Sequence, residues 1–323
     1  MPDLIKKLIQ KKTRAKTIEF DYTLQSLWSG YGSIDRYTLS DCDTPSVIVK
    51  HVRLPDGKRH PKGWNTNLSH QRKLKSYRVE TNWYKNHAGK CDDHCRVPAI
   101  FATEQFGDEI VMLMEDLDAN GFSLRKQTVD LQEMKICLNW LAAFHARFMN
   151  HKPKGLWSVG SYWHLDTRPD EHKAMPSGAL KDNAARIDQL LNNAPFKTFV
   201  HGDAKLENFC FSTSGEQVAA VDFQYVGGGN GMKDVAYFIS SCLNENECAH
   251  FETSLLDIYF DYFQRHLSHY QPDIDPDQVE QSWRPLYAVA WTDFFRFLQG
   301  WSPGHWKIHS YSQNIANKVM KTL

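Results

Sequence analysis

Phe199-Val200-His201-Gly202-Asp203-Ala204-Lys205-Leu206-Glu207-Asn208 is the stretch on which the reading of this chain turns. An apolar run beginning at Lys197 and Thr198 leads into it, and Phe209-Cys210-Phe211 leads out. Between two short strands, His-x-Asp-x-x-x-x-Asn holds a carboxylate and a side-chain amide about one loop apart. A carboxylate so placed can accept the proton of an incoming hydroxyl, and the amide oxygen can reach a hard cation resting on phosphates. Downstream, Val218-Ala219-Ala220-Val221 runs into Asp222-Phe223-Gln224, which adds a second oxygen ligand at the end of an apolar strand. The bland alternative is a pair of β-turns with capping aspartates. It does not account for loop spacing, flanking strands and second aspartate agreeing at once.

Upstream, Ser46-Val47-Ile48-Val49-Lys50 is a β-branched strand ending in a lysine. Alone, such a lysine is usually a solvated edge residue. On the helix expected over residues 69–87, however, Glu80 stands as a carboxylate partner in a segment otherwise basic from His70 to Arg78. Such a pair would fix the lysine tip for phosphate oxygens; the alternative is a surface salt bridge. Ser29-Gly30-Tyr31-Gly32-Ser33 lies between two expected strands, and Ser29, Gly30, Gly32 and Ser33 are candidates for a backbone phosphate cover. By itself the segment is only a hairpin, because Asp35 stands where a third glycine would complete Gly-x-Gly-x-x-Gly. Met112-Leu113-Met114-Glu115-Asp116-Leu117 suits a strand and hinge, with backbone groups near Glu115 and Leu117 facing a purine base.

The chain has 323 residues, 41% of them hydrophobic and 24% charged, with 38 basic and 38 acidic side chains in balance. That is a globular composition with room for a sizeable core, and it lacks the basic surplus of a duplex-DNA binder. No apolar run of about 18 residues is present, so no membrane helix is expected. The basic N-terminus reads as a packed first helix with Leu4, Ile5, Leu8 and Ile9 inward. Seven irregularly spaced cysteines suggest reduced thiols and a cytoplasmic setting. His87, Cys91, His94 and Cys95 resemble zinc ligands, but no second half at zinc-finger spacing exists, and a polar loop is the simpler reading.

Along the chain, a helix and then mainly strands fill the first part, with a loop over residues 54–68 and strands near 97–104 and 109–114. Ser69 is the expected N-cap of the helix that follows the loop. Residues 115–121 read as a linker. Helices are expected over 131–149, 179–193, 251–266 and 283–300. This predicts an α+β fold of two lobes, protein-kinase-like: a small β-rich lobe over residues 1–116 and a larger, mainly helical lobe over 117–323.

In this order the motifs resemble the aminoglycoside phosphotransferase and choline kinase superfamily, in which His-Gly-Asp replaces the His-Arg-Asp of protein kinases. Ser76-Tyr77-Arg78-Val79-Glu80, Leu141-Ala142-Ala143-Phe144-His145-Ala146 and Asp222-Phe223-Gln224 look most like its ecdysteroid-kinase-like group. Lys233-Asp234-Val235-Ala236-Tyr237-Phe238 also fits that pattern. The resemblance implies that Asp203 is the catalytic base, that Asn208 and Asp222 bind magnesium, and that Lys50 and Glu80 are the phosphate-binding pair. It implies ATP and Mg2+ as cofactors, a structural Asp234, and a His201 that steadies the loop. It also implies a small-molecule acceptor, with neither nucleic acid nor membrane as partner. Absent Asp-Phe-Gly and Ala-Pro-Glu motifs argue against a protein kinase. A nucleotide-binding module without turnover is the rival, and an intact Lys50, Asp203, Asn208 and Asp222 count against it. The acceptor is expected to face Asp203, near the aromatic segment Trp157–Arg168 and near Trp283, Trp291 and Asp293. Rings plus a carboxylate would suit an amine there; ordinary packing of the helical lobe is the competing reading.

Overall fold

The structure is a computed structural model describing residues 2–27, 30–53 and 67–323. Five antiparallel strands form the first sheet: β1 (Thr17–Ser26), β2 (Gly32–Ser40), β3 (Ser46–Val52), β4 (Ile100–Phe106) and β5 (Glu109–Glu115), in the order β1-β2-β3-β5-β4. Alternation sorts the two central strands by face. Val47 and Val49 of β3, with Val111 and Leu113 of β5, pack under α1 (Pro2–Thr13) against Ile5, Leu8 and Ile9. Ile48 of β3, with Met112 and Met114 of β5, turns the other way and joins the main core of the helical lobe. Lys50, in phase with Ile48 and Val52, therefore points toward the cleft side, where α2 (Asn67–Asn86) lies. Leu4 is 41% exposed, so the first helix buries three of the four residues expected to face inward.

The larger lobe opens with α3 (Leu131–Arg147), started by a reciprocal Asp130–Glu133 capping box. Then come α4 (Pro169–Ala174), α5 (Ala179–Asp182) and α6 (Ala184–Asn192). The single helix expected over 179–193 is thus broken at Asn183, whose side-chain amide donates to the Ala179 carbonyl. Two small two-stranded antiparallel sheets follow. β6 (Thr198–Val200) pairs with β9 (Gly227–Gly229), and β7 (Phe209–Phe211) pairs with β8 (Val218–Ala220). The chain closes with α7 (Met232–Cys242), α8 (Glu245–Tyr270), α9 (Pro276–Trp283), α10 (Leu286–Trp301) and α11 (Ser310–Met320).

Several boundaries differ from expectation, with α8 extending past 251–266 at both ends and α3 stopping two residues early, and three others have a clear local reason. Among the described residues α2 already runs from Asn67, so Ser69 sits in its first turn and its Oγ accepts from Arg72 instead of capping. The strand expected from 97 starts at Ile100, past Pro98, which has no N–H to give a ladder. The helix expected over 283–300 begins at Leu286 because Pro285 separates it from α9. The architecture is the predicted two-lobed α+β fold. No described helix is long and apolar enough to cross a membrane.

Candidate active site

The loop after β6 is fixed from below by one buried carboxylate. Asp234 lies in the first turn of α7, yet it does not cap its own helix. Its Oδ1 accepts from Gly202 N at 2.9 Å and its Oδ2 from His201 N at 2.5 Å. The same carboxylate meets His145 Nε2 at 3.1 Å, and His145 Nδ1 meets the Tyr259 hydroxyl at 2.8 Å. Two backbone amides donating to an ionised acceptor make strong, directional bonds, and they set the backbone that carries Asp203. Gly202 takes φ +79°, and a Cβ there would stand 2.2 Å from the Tyr225 carbonyl oxygen. Only glycine fits that turn.

His201 is buried, and burial lowers its pKa. Its Nδ1 accepts from Asp203 N at 3.3 Å and its Nε2 bonds the Val221 carbonyl at 2.9 Å. The ring thereby couples the loop to the strand end that carries Asp222. Asn208 Nδ2 donates to the Asp203 carbonyl at 2.7 Å, which turns its amide oxygen the other way. Val221 N donates to Asn208 O at 3.0 Å, so Asn208 and Asp222 are held side by side. Asp222 has φ +66°, a strained value for a residue with a side chain, and its buried Oδ1 has no hydrogen-bond partner among the described residues. Phe223 locks this geometry, stacking on Trp83 of α2 with centroids 4.7 Å apart and touching His201 at 4.6 Å.

The charges interact as the distances require. Burial, and then the like charge of Asp222, push the Asp203 carboxyl up to about 7. An orphaned Asp222 oxygen beside an outward-turned Asn208 amide oxygen is a hard-oxygen pair, which fits a magnesium ion completed by phosphates and water. The histidine and cysteine cluster does not converge. His87 Nε2 bonds the Lys154 carbonyl, His94 packs on His266, and no group of three or more His, Cys, Asp or Glu among the described residues is placed to hold a metal. All seven cysteines are free.

Across the cleft, Lys50 Nζ meets both Glu80 oxygens, at 2.8 and 2.7 Å, with the residues 3% and 2% exposed. Burial raises the Glu80 carboxyl in spite of Lys50. Sequence reasoning missed Lys73. Its ammonium bonds Gln224 Oε1 at 2.9 Å, and burial lowers it to about 8 among the charges of Asp222, Lys50 and Glu80. Helical periodicity held the signal, since Lys73, Ser76, Tyr77 and Glu80 share one face of α2.

Ser29 lies outside the described residues. Gly30 and Gly32 both have positive φ, and a Cβ on Gly32 would meet the His51 carbonyl oxygen at 1.8 Å. Ser33 Oγ donates to Asp35 Oδ2 at 2.7 Å, and Thr23 Oγ1 donates to Asp35 Oδ1 at 2.7 Å. The residue standing in place of glycine thus ties the hairpin together and engages the Ser33 hydroxyl. In the hinge, Glu115 is held by Arg96 and by Ala99 N, and the Leu117 carbonyl accepts from Phe122 N at 2.8 Å. Arg36 NH2 clamps Asp116 Oδ1 and Asp118 Oδ2, an anchor from β2 that the sequence reading did not find.

On the acceptor side the structure decides between the two readings in favour of packing. Trp283 and Trp291 are fully buried core, their indole N–H groups bonded to the Phe196 carbonyl and Ser312 Oγ. Asp293 is buried and taken: Arg296 binds its Oδ1 at 2.8 and 2.9 Å, and Trp163 Nε1 donates to its Oδ2 at 3.1 Å. The segment carrying Tyr162 does dock on the catalytic loop, with Tyr162 N donating to Gly202 O at 3.0 Å. The Tyr162 ring packs edge-on against Tyr237 of α7, with centroids 5.4 Å apart.

Comparison with known proteins shows a family and a fold. The model of the ecdysteroid kinase-like family matches residues 58–155 and 162–271. No curated protein sequence matches the chain significantly. Among solved structures, the chain is similar to a choline kinase from Cryptosporidium parvum Iowa II, with TM-score 0.56 and 12% identity over 100% of this chain and 94% of that one. It is also similar to an amicoumacin kinase in complex with AMP-PNP and Ca2+, with TM-score 0.50 and 12% identity over 99% and 92% of the two chains. At that identity the likeness concerns the fold.

Proposed function

The chain belongs to the ecdysteroid kinase-like family, and we propose that it is an ATP- and magnesium-dependent kinase that moves the γ-phosphoryl group of ATP to a hydroxyl of a small-molecule acceptor. The observation that carries this reading is the convergence of Asp203 with Asn208 and an unpartnered Asp222 oxygen, opposite the buried Lys50–Glu80 pair. In this reading residues 1–116 bind the nucleotide, and residues 117–323 supply the catalytic loop and the acceptor side. The adenine lies along the hinge near Glu115 and Leu117. The backbone around Gly30 and Gly32, with Ser29 and Ser33, covers the phosphates. Lys50, oriented by Glu80, meets phosphate oxygens, and Lys73 adds a second cation nearby.

Asn208 and Asp222 would hold the magnesium, which when bound would neutralise charge on the transferring phosphates. Asp203 orients the acceptor hydroxyl and takes its proton as the new O–P bond forms; the bond to the β-phosphate oxygen breaks and ADP leaves. Fixed charges and positioning do most of the work, because the transition state is loose. Seven free thiols fit a reducing compartment, and with ATP as donor the site of action is the cytoplasm.

Thermal shift with ATP and magnesium, followed by ATP consumption over a panel of alcohols, tests the reading. Nucleotide at 100-fold its Kd should add about 2.7 kcal/mol of stability, and at least one alcohol should drive consumption. Stabilisation with no consumption by any alcohol would point to a nucleotide-binding module, and no stabilisation would remove both readings.

A further inference from the structure

Two aromatic clusters beside each other on the acceptor side, one at Tyr237 and one at Tyr162, each already carry a cation of the chain itself. Lys307, in the turn between α10 and α11, is 7% exposed. Its ammonium stands 4.8 Å from the Tyr237 ring centroid, 5.4 Å from Phe294 and 5.3 Å from Trp306. Its hydrogen-bond partner is the neutral Ser240 Oγ at 3.3 Å, and among the described residues no carboxylate pairs with it. Burial lowers this lysine to about 8. The next face is closed in the same way, because the Arg168 guanidinium lies 5.7 Å from the Tyr162 centroid and 5.5 Å from Phe297. The one acidic group that sequence offered to a cationic acceptor, Asp293, is consumed by Arg296 and Trp163. Tyr162, whose N donates to the Gly202 carbonyl next to Asp203, packs on Tyr237 at 5.4 Å, so these resident cations border the place where an acceptor hydroxyl must sit.

Building on the kinase reading above, we propose that Lys307 is a specificity-determining residue: it fills an aromatic box that would otherwise take an ammonium group, so the acceptor is an alcohol without positive charge. Three ring faces around one point are the usual receptor for a quaternary ammonium. Here the receptor is satisfied from within. A ligand ammonium drawn to the same rings would meet Lys307 at roughly 5 Å, and at an effective dielectric near 20 that repulsion lowers its affinity by roughly two orders of magnitude. The lysine has donor capacity beyond its one bond to Ser240, and an oxygen of a neutral or anionic acceptor can use it.

The test is calorimetric titration of the full chain with tetramethylammonium and with choline, in the absence of nucleotide. Wild type should show no saturable binding. Lys307→Ala should open the box and gain binding by at least tenfold, and it should gain choline turnover with ATP and magnesium where wild type has none. Lys307→Met, which removes the charge but keeps an apolar stem, serves if the alanine variant melts early; it should relieve the repulsion and gain weak tetramethylammonium binding. Saturable binding of either ammonium to wild type, or choline turnover by wild type, overturns the proposal whatever the variants do. Folded variants with no gain overturn it as well. Because the titration uses no nucleotide, its outcome is separate from the kinase reading, which fails instead if wild type does not bind ATP.

Discussion

Replacing Glu80 by alanine should do more damage to stability than any exposed ion pair would, and the reason lies in what is left behind. Lys50 reaches both Glu80 oxygens in a site where the two residues are 3% and 2% exposed, and Lys73 also feels the Glu80 charge. Without Glu80, a buried ammonium loses its hydrogen-bonded counter-charge, which costs about 3–5 kcal/mol. At about 2–4 °C per kcal/mol for chains of this size, the melting temperature falls by roughly 10 °C. The pair itself is not expected to be a large net stabiliser. Desolvation is the largest influence on Glu80 and outweighs the attraction of Lys50. The double variant Lys50→Met with Glu80→Leu should therefore fold with a stability within about 1 kcal/mol of wild type, or above it, while losing ATP binding. Urea unfolding followed by tryptophan fluorescence reads the first quantity, and nucleotide titration the second. A Glu80→Ala cost below about 1 kcal/mol, or a double variant as unstable as the single, would refute the reasoning that this pair is kept for phosphate binding.

Two further outcomes follow from the catalytic loop. A base must be ionised to accept a proton; the Asp203 carboxyl titrates near 7 without metal, and a cation on Asp222 would lower it, so kcat/KM should rise with pH and level off at or below about 7. In the metal-free protein the same group should make stability fall as pH rises from about 4, its unfolded value, through about 7, because the folded state holds the proton more tightly. Asp222→Asn removes the like charge and should move that fall to lower pH in urea titrations; an unmoved profile would clear Asp222 as the cause. Gly202→Ala puts a Cβ 2.2 Å from the Tyr225 carbonyl oxygen at φ +79°, and should cost about 2 kcal/mol or more and disorder the loop. A crystal structure of that variant with an unmoved loop would contradict the strain argument.

What the sequence made legible is what is local. The strands around residues 199–211 and the spacing of Asp203 and Asn208 needed only a loop and its flanks, and alternation in β3 and β5 was enough to aim Lys50. The Lys50–Glu80 pairing was readable because the facing helix offered few other carboxylates. Contacts closed by the tertiary fold were less accessible. Asp234 reads as a helix-start residue in sequence; only the fold brings the His201 and Gly202 amides to it. Asp293 looked like an open carboxylate, and its partner Arg296 stands three residues on along the same helix, so that neutralisation was within reach of periodicity. Lys307 carried no signal at all, because its box is built from α7, α10 and the turn after it. For Trp283 and Trp291 the sequence allowed both a pocket wall and core packing, and burial in the helical core shows packing.

The central claim is that Asp203 takes the proton of an acceptor hydroxyl during phosphoryl transfer from ATP. The most direct measurement compares transfer of labelled γ-phosphate by wild type and Asp203→Asn, with nucleotide affinity measured on the same samples. The account predicts unchanged ATP binding and a fall in turnover of about 100-fold to 10,000-fold, the range expected for loss of a general base. Equal turnover in the two proteins, or transfer lost only in step with ATP binding, would contradict it.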